Sequence, residues 1–220
     1  MTRARAFSAV ALLLMSIGMV AVASARGVDA QAGAVSLPDA IDQGLVRAEF
    51  LGEGGASGAV IRLQVTRAAT MDLTITVPRG LLLRNRNPEE QDMTVQGLLA
   101  ERTGDRTVPV AMIDLRDDDT HTYVLEAYCL EAELENPSVD AVFVPEGFVG
   151  PDLIAVLDAV DQVPDAEDEI DVIQAAVWVL TDDITREKLA EIGYELSDAD
   201  VALVGELLRA AGLEPAAYRL

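Results

Sequence analysis

Between Leu45 and Leu130 apolar and polar positions alternate with a period of two, the pattern of half-buried strands. "VIRLQV" sets Ile61, Leu63 and Val65 on one face and Arg62 and Gln64 on the other. "MDLTITV" sets Met71, Leu73, Ile75 and Val77 against Asp72, Thr74 and Thr76, and "TYVLEAYCL" aligns Tyr123, Leu125, Ala127 and Cys129. Turn-forming stretches bound these runs: "GEGGASG", "PRG", "RNPEEQD", "RTGDR" and "RDDDT". Roughly seven short strands at such spacing predict an antiparallel β-sandwich of immunoglobulin-like type. The single tryptophan, Trp178, lies outside this region, so the immunoglobulin tryptophan signature is missing.

After "ENPS" the period changes. A short extended stretch, "DAVFVPEGFVG", leads to "GPDLIAVLDAVDQV", where Pro151 stands at a first helical position and Leu153, Ile154, Leu157 and Val160 form an apolar stripe. "PDAEDE" interrupts, and a second helix is expected from about Ile170 to Leu180. "ITREKLAEIG" reads as a short helix closed by Gly193. "SDADVALVGELLRAAG" reads as a further one, with Ser197 as N-cap, Asp200 in capping-box position and Gly212 at its end. The fold class is therefore α+β: an antiparallel β-sandwich over residues 45–135, then a bundle of about four helices over 136–220 packed on it.

The first 25 residues alter what counts as fold. Arg3 and Arg5 precede an apolar run that ends in Ala23-Ser24-Ala25, the layout of a cleaved secretory signal peptide. Residues 26–44, with Gly27, Gly33 and Pro38, read as a linker. The expected address is secreted: extracellular or in the cell envelope, with membrane contact only through the signal peptide. The formal net charge is −22, which argues against nucleic-acid and anionic-lipid partners. Cys129 is the only cysteine, so no internal disulfide can form.

"VIQAAVWVL", residues 172–180, is apolar except for Gln174. On a helix Gln174 shares a face with Ile170, Val177, Trp178 and Thr181, and a helix apolar all round is a buried one. A buried amide left unpaired costs about 1–3 kcal/mol, so Gln174 needs a partner. One reading is structural: the amide bonds the backbone of a neighbouring strand and holds the helix in place.

The other reading is chemical. Tyr128-Cys129 at the end of a strand, with Gln174-x-Ala-x-Trp178 on a helix, resembles the paired motifs of the thioester domains of bacterial surface adhesins. The resemblance implies that the Cys129 sulfur attacks the Gln174 side-chain carbonyl, expels ammonia and leaves an internal thioester. Tyr128 and Trp178 would shape and shield the site. The implied partner is an extracellular or cell-surface macromolecule whose amine or hydroxyl is acylated. The motifs cover under a tenth of the chain. Their spacing is short for the family, and here the strands precede the cysteine rather than surround it.

Other chemistry finds little footing. His121, the only histidine, sits at the start of a strand beside Asp117, Asp118 and Asp119; the place reads as a solvated turn rather than a metal site, which needs three or more converging ligands. "DAEDEID" lacks the alternating ligands and central glycine of a calcium loop. Neither a nucleophile elbow nor a P-loop or dinucleotide fingerprint occurs. No cofactor and no metal are called for, and a conventional enzyme is not expected. Three functions stand in order: a thioester-type surface binding module, a non-covalent structural or interaction module with Cys129 and Gln174 as core, and an enzyme or metal-dependent protein using the acidic loops.

Overall fold

The computed structural model describes residues 33–219. The expected signal peptide and the start of the linker lie outside them. The linker's second half is built into the fold. Val35–Ser36 forms a short strand, β1, and Leu37–Asp42 a helix, α1, with Leu37 and Ala40 buried. The local reason is chemical: the Ser36 hydroxyl accepts the Asp39 N–H at 3.2 Å, and Pro38 follows at the start of the helix.

Eight strands then fill the alternating region: β2 (Val46–Glu53), β3 (Ser57–Arg67), β4 (Leu73–Thr76), β5 (Leu81–Asn85), β6 (Met93–Thr103), β7 (Arg106–Pro109), β8 (Ile113–Leu115) and β9 (Thr120–Cys129). A further strand, β10 (Val139–Phe148), precedes α2 (Pro151–Ala159), α3 (Ile170–Asp182), α4 (Arg186–Glu191) and α5 (Asp198–Ala210). An antiparallel strand region thus leads into four helices, as the change of period indicated. The expected border at 135 moves, because β10 belongs to the sheet.

The strand arrangement departs from an immunoglobulin-like sandwich. β1, β4 and β8 form a small sheet of their own. The larger sheet runs β5-β10-β2-β3-β9-β6-β7, and β5 also pairs with β6 through Leu82–Thr94 and Leu83–Met93. Those pairings close six strands into a ring, which removes the free edges that an open sheet would expose. β7 is attached outside the ring. Ile61, Leu63, Leu83, Met93 and Leu125 are buried in one core cluster shared with Leu73, Ile75 and the helices.

α3 lies at the centre of the helical layer, touching α2, α5, β9 and β3. Every residue from Val172 to Val179 is buried, which accounts for an apolar sequence on all its faces. Pro151 opens α2, and α5 carries the reciprocal capping box of Ser197 and Asp200. Among the described residues no helix is long and apolar enough to cross a membrane.

Candidate functional site

β9 ends at Cys129, one residue after its partner strand β3 begins. Ser57 faces Tyr128 across the ladder, and the Cys129 N–H bonds the Ala56 carbonyl at 3.0 Å. On the other side Met93 of β6 faces Cys129. Ala56 precedes the first residue of β3, so the paired ladder stops here. Gln174 continues the bonding. Its Nε2 donates to the Cys129 carbonyl at 2.8 Å, and its Oε1 accepts from the Cys129 N–H at 3.0 Å.

The carboxamide therefore engages both backbone groups of the one cysteine, in the manner of a neighbouring strand residue. Gln174 is wholly buried, so these bonds act without competing water. Both carboxamide heteroatoms lie within 3.0 Å of Cys129 backbone atoms, which keeps the carboxamide carbon within a side-chain length of the Cys129 Cα. The sequence reading paired these residues across 45 positions, and the fold brings them into direct contact.

Cys129 is a free thiol in the core. Burial pushes its ionisation far up, and the negative charge of Glu131 adds to this. Such a thiol is inert until its proton is removed. Tyr128 is also buried, but alternation along β9 turns it to the face opposite Cys129. Its hydroxyl donates to Glu126, two residues back on that same face. Burial raises the Tyr128 hydroxyl, and the bond to Glu126 raises it further. Tyr128 accordingly supports the strand from behind and does not line the sulfur.

Trp178 stands one turn beyond Gln174 on α3. Its ring meets Tyr194 edge to face, with centroids 4.8 Å apart at 81°. The two aromatics form part of the wall of a cleft of about 540 Å³, whose rim carries Gln91, Glu133, Asn136 and Lys188. Tyr194, Gln91 and Glu131 escaped the sequence reading. Glu131 alone had a local signal, a carboxylate two residues after the only cysteine.

No family model matches this chain, and no curated protein or solved structure matches it either.

His121 stands at the start of β9, as its sequence position indicated, but its ring is engaged and not freely solvated, its Nδ1 2.9 Å from Glu101 Oε1 and its Nε2 3.0 Å from Asp117 Oδ1. Only the doubly protonated ring donates to both facing carboxylates at once. Burial disfavours that charge, but the bonds to Glu101 and Asp117 outweigh it and raise the pKa above the ordinary 6.5. Among the described residues no three His, Cys, Asp or Glu side chains converge as a metal site would require.

Proposed function

We propose that this chain is an exported binding module of the cell surface or extracellular space whose Cys129 and Gln174 close an internal thioester. The bond then acylates an amine or hydroxyl of a macromolecular target. One observation carries the reading: the Gln174 carboxamide is held by both backbone groups of the cysteine that would attack it.

The contact has chemical consequences. Attack of sulfur on the carboxamide carbon would place negative charge on Oε1. The Cys129 N–H, shared at 3.0 Å each between that atom and the Ala56 carbonyl, would act as its oxyanion donor. The Nε2–H bond to the Cys129 carbonyl fixes which side of the amide carries the leaving nitrogen. The buried, water-poor surroundings would protect the finished thioester from hydrolysis until a target entered.

Methylamine tests this directly. Treated native protein should gain one methylamine at Gln174 and release one titratable thiol at Cys129. Failure of both changes, in folded protein, would remove the thioester from the account.

A second reading is supported by the same geometry. Both amide bonds are satisfied by backbone, and burial keeps the thiol protonated. In that case Gln174 is a peg that fastens α3 to the end of β9, and the protein is a non-covalent interaction module.

A further inference from the structure

The cleft beside Tyr194 holds polar groups that the rest of the fold leaves unused. Gln91 and Trp178 are each 1% exposed, and both line this cleft of about 540 Å³. Gln91 Nε2 donates to the Leu134 carbonyl at 3.2 Å and to Asn136 Oδ1 at 3.0 Å. Those two bonds use both of its protons and leave Oε1 as the free end of the amide. Among the described residues, buried Oε1 accepts no hydrogen bond and the buried Trp178 Nε1–H donates none. A native fold rarely leaves buried polar atoms unbonded. One cleft thus holds an unused acceptor and an unused donor, both uncharged. Its volume falls within the range ordinary for small-ligand sites, ~300–1,000 Å³.

The surroundings narrow the ligand. Lys188, the chain's only lysine, has its charge answered: its Nζ lies 3.5 Å from Glu191 and 3.8 Å from Glu133. An anion would meet Glu133 and the field of a chain at −22. A cation would meet Lys188 and the indole N–H, which can only donate. An extended peptide would need an open ladder, but the backbone here is already paired. The Gln91 N–H bonds the Glu135 carbonyl at 2.9 Å, and the Glu135 N–H bonds the Glu89 carbonyl at 3.2 Å. The complement of the cleft is a neutral ligand whose groups both donate and accept, with a body apolar enough to lie on Trp178, Tyr194 and Ile192. Sugar hydroxyls and ring C–H faces have that combination.

We propose that this cleft is a binding site for a neutral saccharide, separate from Cys129 and Gln174, neither of which lines it. A sugar hydroxyl donates to Gln91 Oε1, and a hydroxyl oxygen accepts from Trp178 Nε1. Both atoms lie just behind the cleft surface, so a wall gives way as the ligand seats. Tyr194, half-buried on the stretch between α4 and α5, is the side chain placed to move. Rotamer changes of this kind are common on binding. Binding makes and breaks no covalent bond, so the site serves the chain with or without a thioester.

Trp178 is the only tryptophan, so the native protein gives a single indole N–H signal in proton–nitrogen NMR. The probes are maltose, cellobiose, lactose and diacetylchitobiose, with digalacturonate as the charged comparison and an acetylated trialanine amide as the peptide. At least one neutral sugar should move the indole signal downfield and saturably, while digalacturonate and the peptide leave it in place. Trp178→Phe keeps an aromatic ring and loses the donor. Its affinity for the same sugar, read by saturation transfer from protein to sugar, should fall about tenfold, the worth of one hydrogen bond. Tyr194→Ala should weaken binding by removing a wall, and it serves as the variant if circular dichroism shows that Trp178→Phe does not fold. An indole signal unmoved by every sugar would overturn the proposal. So would a shift caused by the peptide and not by the sugars, or sugar binding unchanged in the folded variants. Thioester formation, read separately by mass, bears on none of these results.

Discussion

Replacing Gln174 by alanine would strip the Cys129 carbonyl of its donor and open a hole beneath α3. A buried carbonyl left unpaired costs about 1–3 kcal/mol, and the lost packing adds to it. With the carboxamide intact, urea unfolding of Gln174→Ala should show a drop at or above the upper end of that range; once the thioester has formed the nitrogen donor is gone, and the loss is instead that of the cross-link and its packing. Gln174→Glu should also destabilise near neutral pH, because a carboxylate oxygen would then face the Cys129 carbonyl where Nε2–H now donates. Its deficit should shrink in acid. His121 makes the opposite kind of contribution. Its pKa is raised in the folded protein, so its stabilisation is complete below about 6.5 and is lost as pH climbs through the folded value. The facing groups are Glu101 on β6, Asp117 in the preceding turn, and Tyr123 stacked beside it on β9. The urea midpoint should therefore fall on raising the pH above that point, and His121→Gln should flatten this portion of the profile. Proton NMR of the one histidine ring gives its titration without overlap, and a midpoint at or below 6.5 would contradict the ion-pair clip.

At the scale of elements, α5 depends on its cap. The Ser197 hydroxyl receives the Asp200 N–H, and Asp200 returns a bond to the Ser197 N–H. Ser197→Ala should cost about 1 kcal/mol in thermal or urea unfolding. β2 and β10 depend on the absence of a side chain at Gly52, where a Cβ would stand 2.5 Å from the Ser138 carbonyl oxygen and 3.2 Å from Ala141 Cβ. Gly52→Ala should lose about 1–3 kcal/mol by overpacking, measured the same way. These elements also show what local pattern can and cannot carry. β3, β4 and β9 were legible because each alternates cleanly. α3 and α5 were legible from an apolar run and a cap. β10 was legible only as a short extended stretch and not as a full member of the sheet, because "AVFV" is apolar at every position and Pro145 and Gly147 imitate a break. In the structure Ala141 and Phe143 turn inward while Val142 and Val144 stay exposed, and a register shift falls between Pro145 and Phe148. α1 was missed although Ser36, Pro38 and Asp39 carry a start signal, because so short a helix has no apolar period to read.

At the scale of the molecule, ring closure was not legible. It comes from β10 returning to β2 and β5, and which distant strands pair is not written in the alternation of any one of them. The site was half legible: the Cys129–Gln174 pair could be read from residue types, whereas the backbone geometry of their contact arises only from the ladder's end. The charge of the whole chain carries its own expectation. At −22 the surface repels itself, and salt screens that repulsion. The melting temperature should rise between very low salt and about 0.15 M, where the screening length is about 8 Å. A fall over that range would mean that the surface ion pairs outweigh the net repulsion. The thioester itself is decided by the intact mass of freshly folded, untreated protein. It should be one ammonia lighter than its sequence requires, with no thiol titratable in the native state. The full sequence mass, with one free thiol on unfolding, would contradict the covalent reading and leave Gln174 as a structural peg.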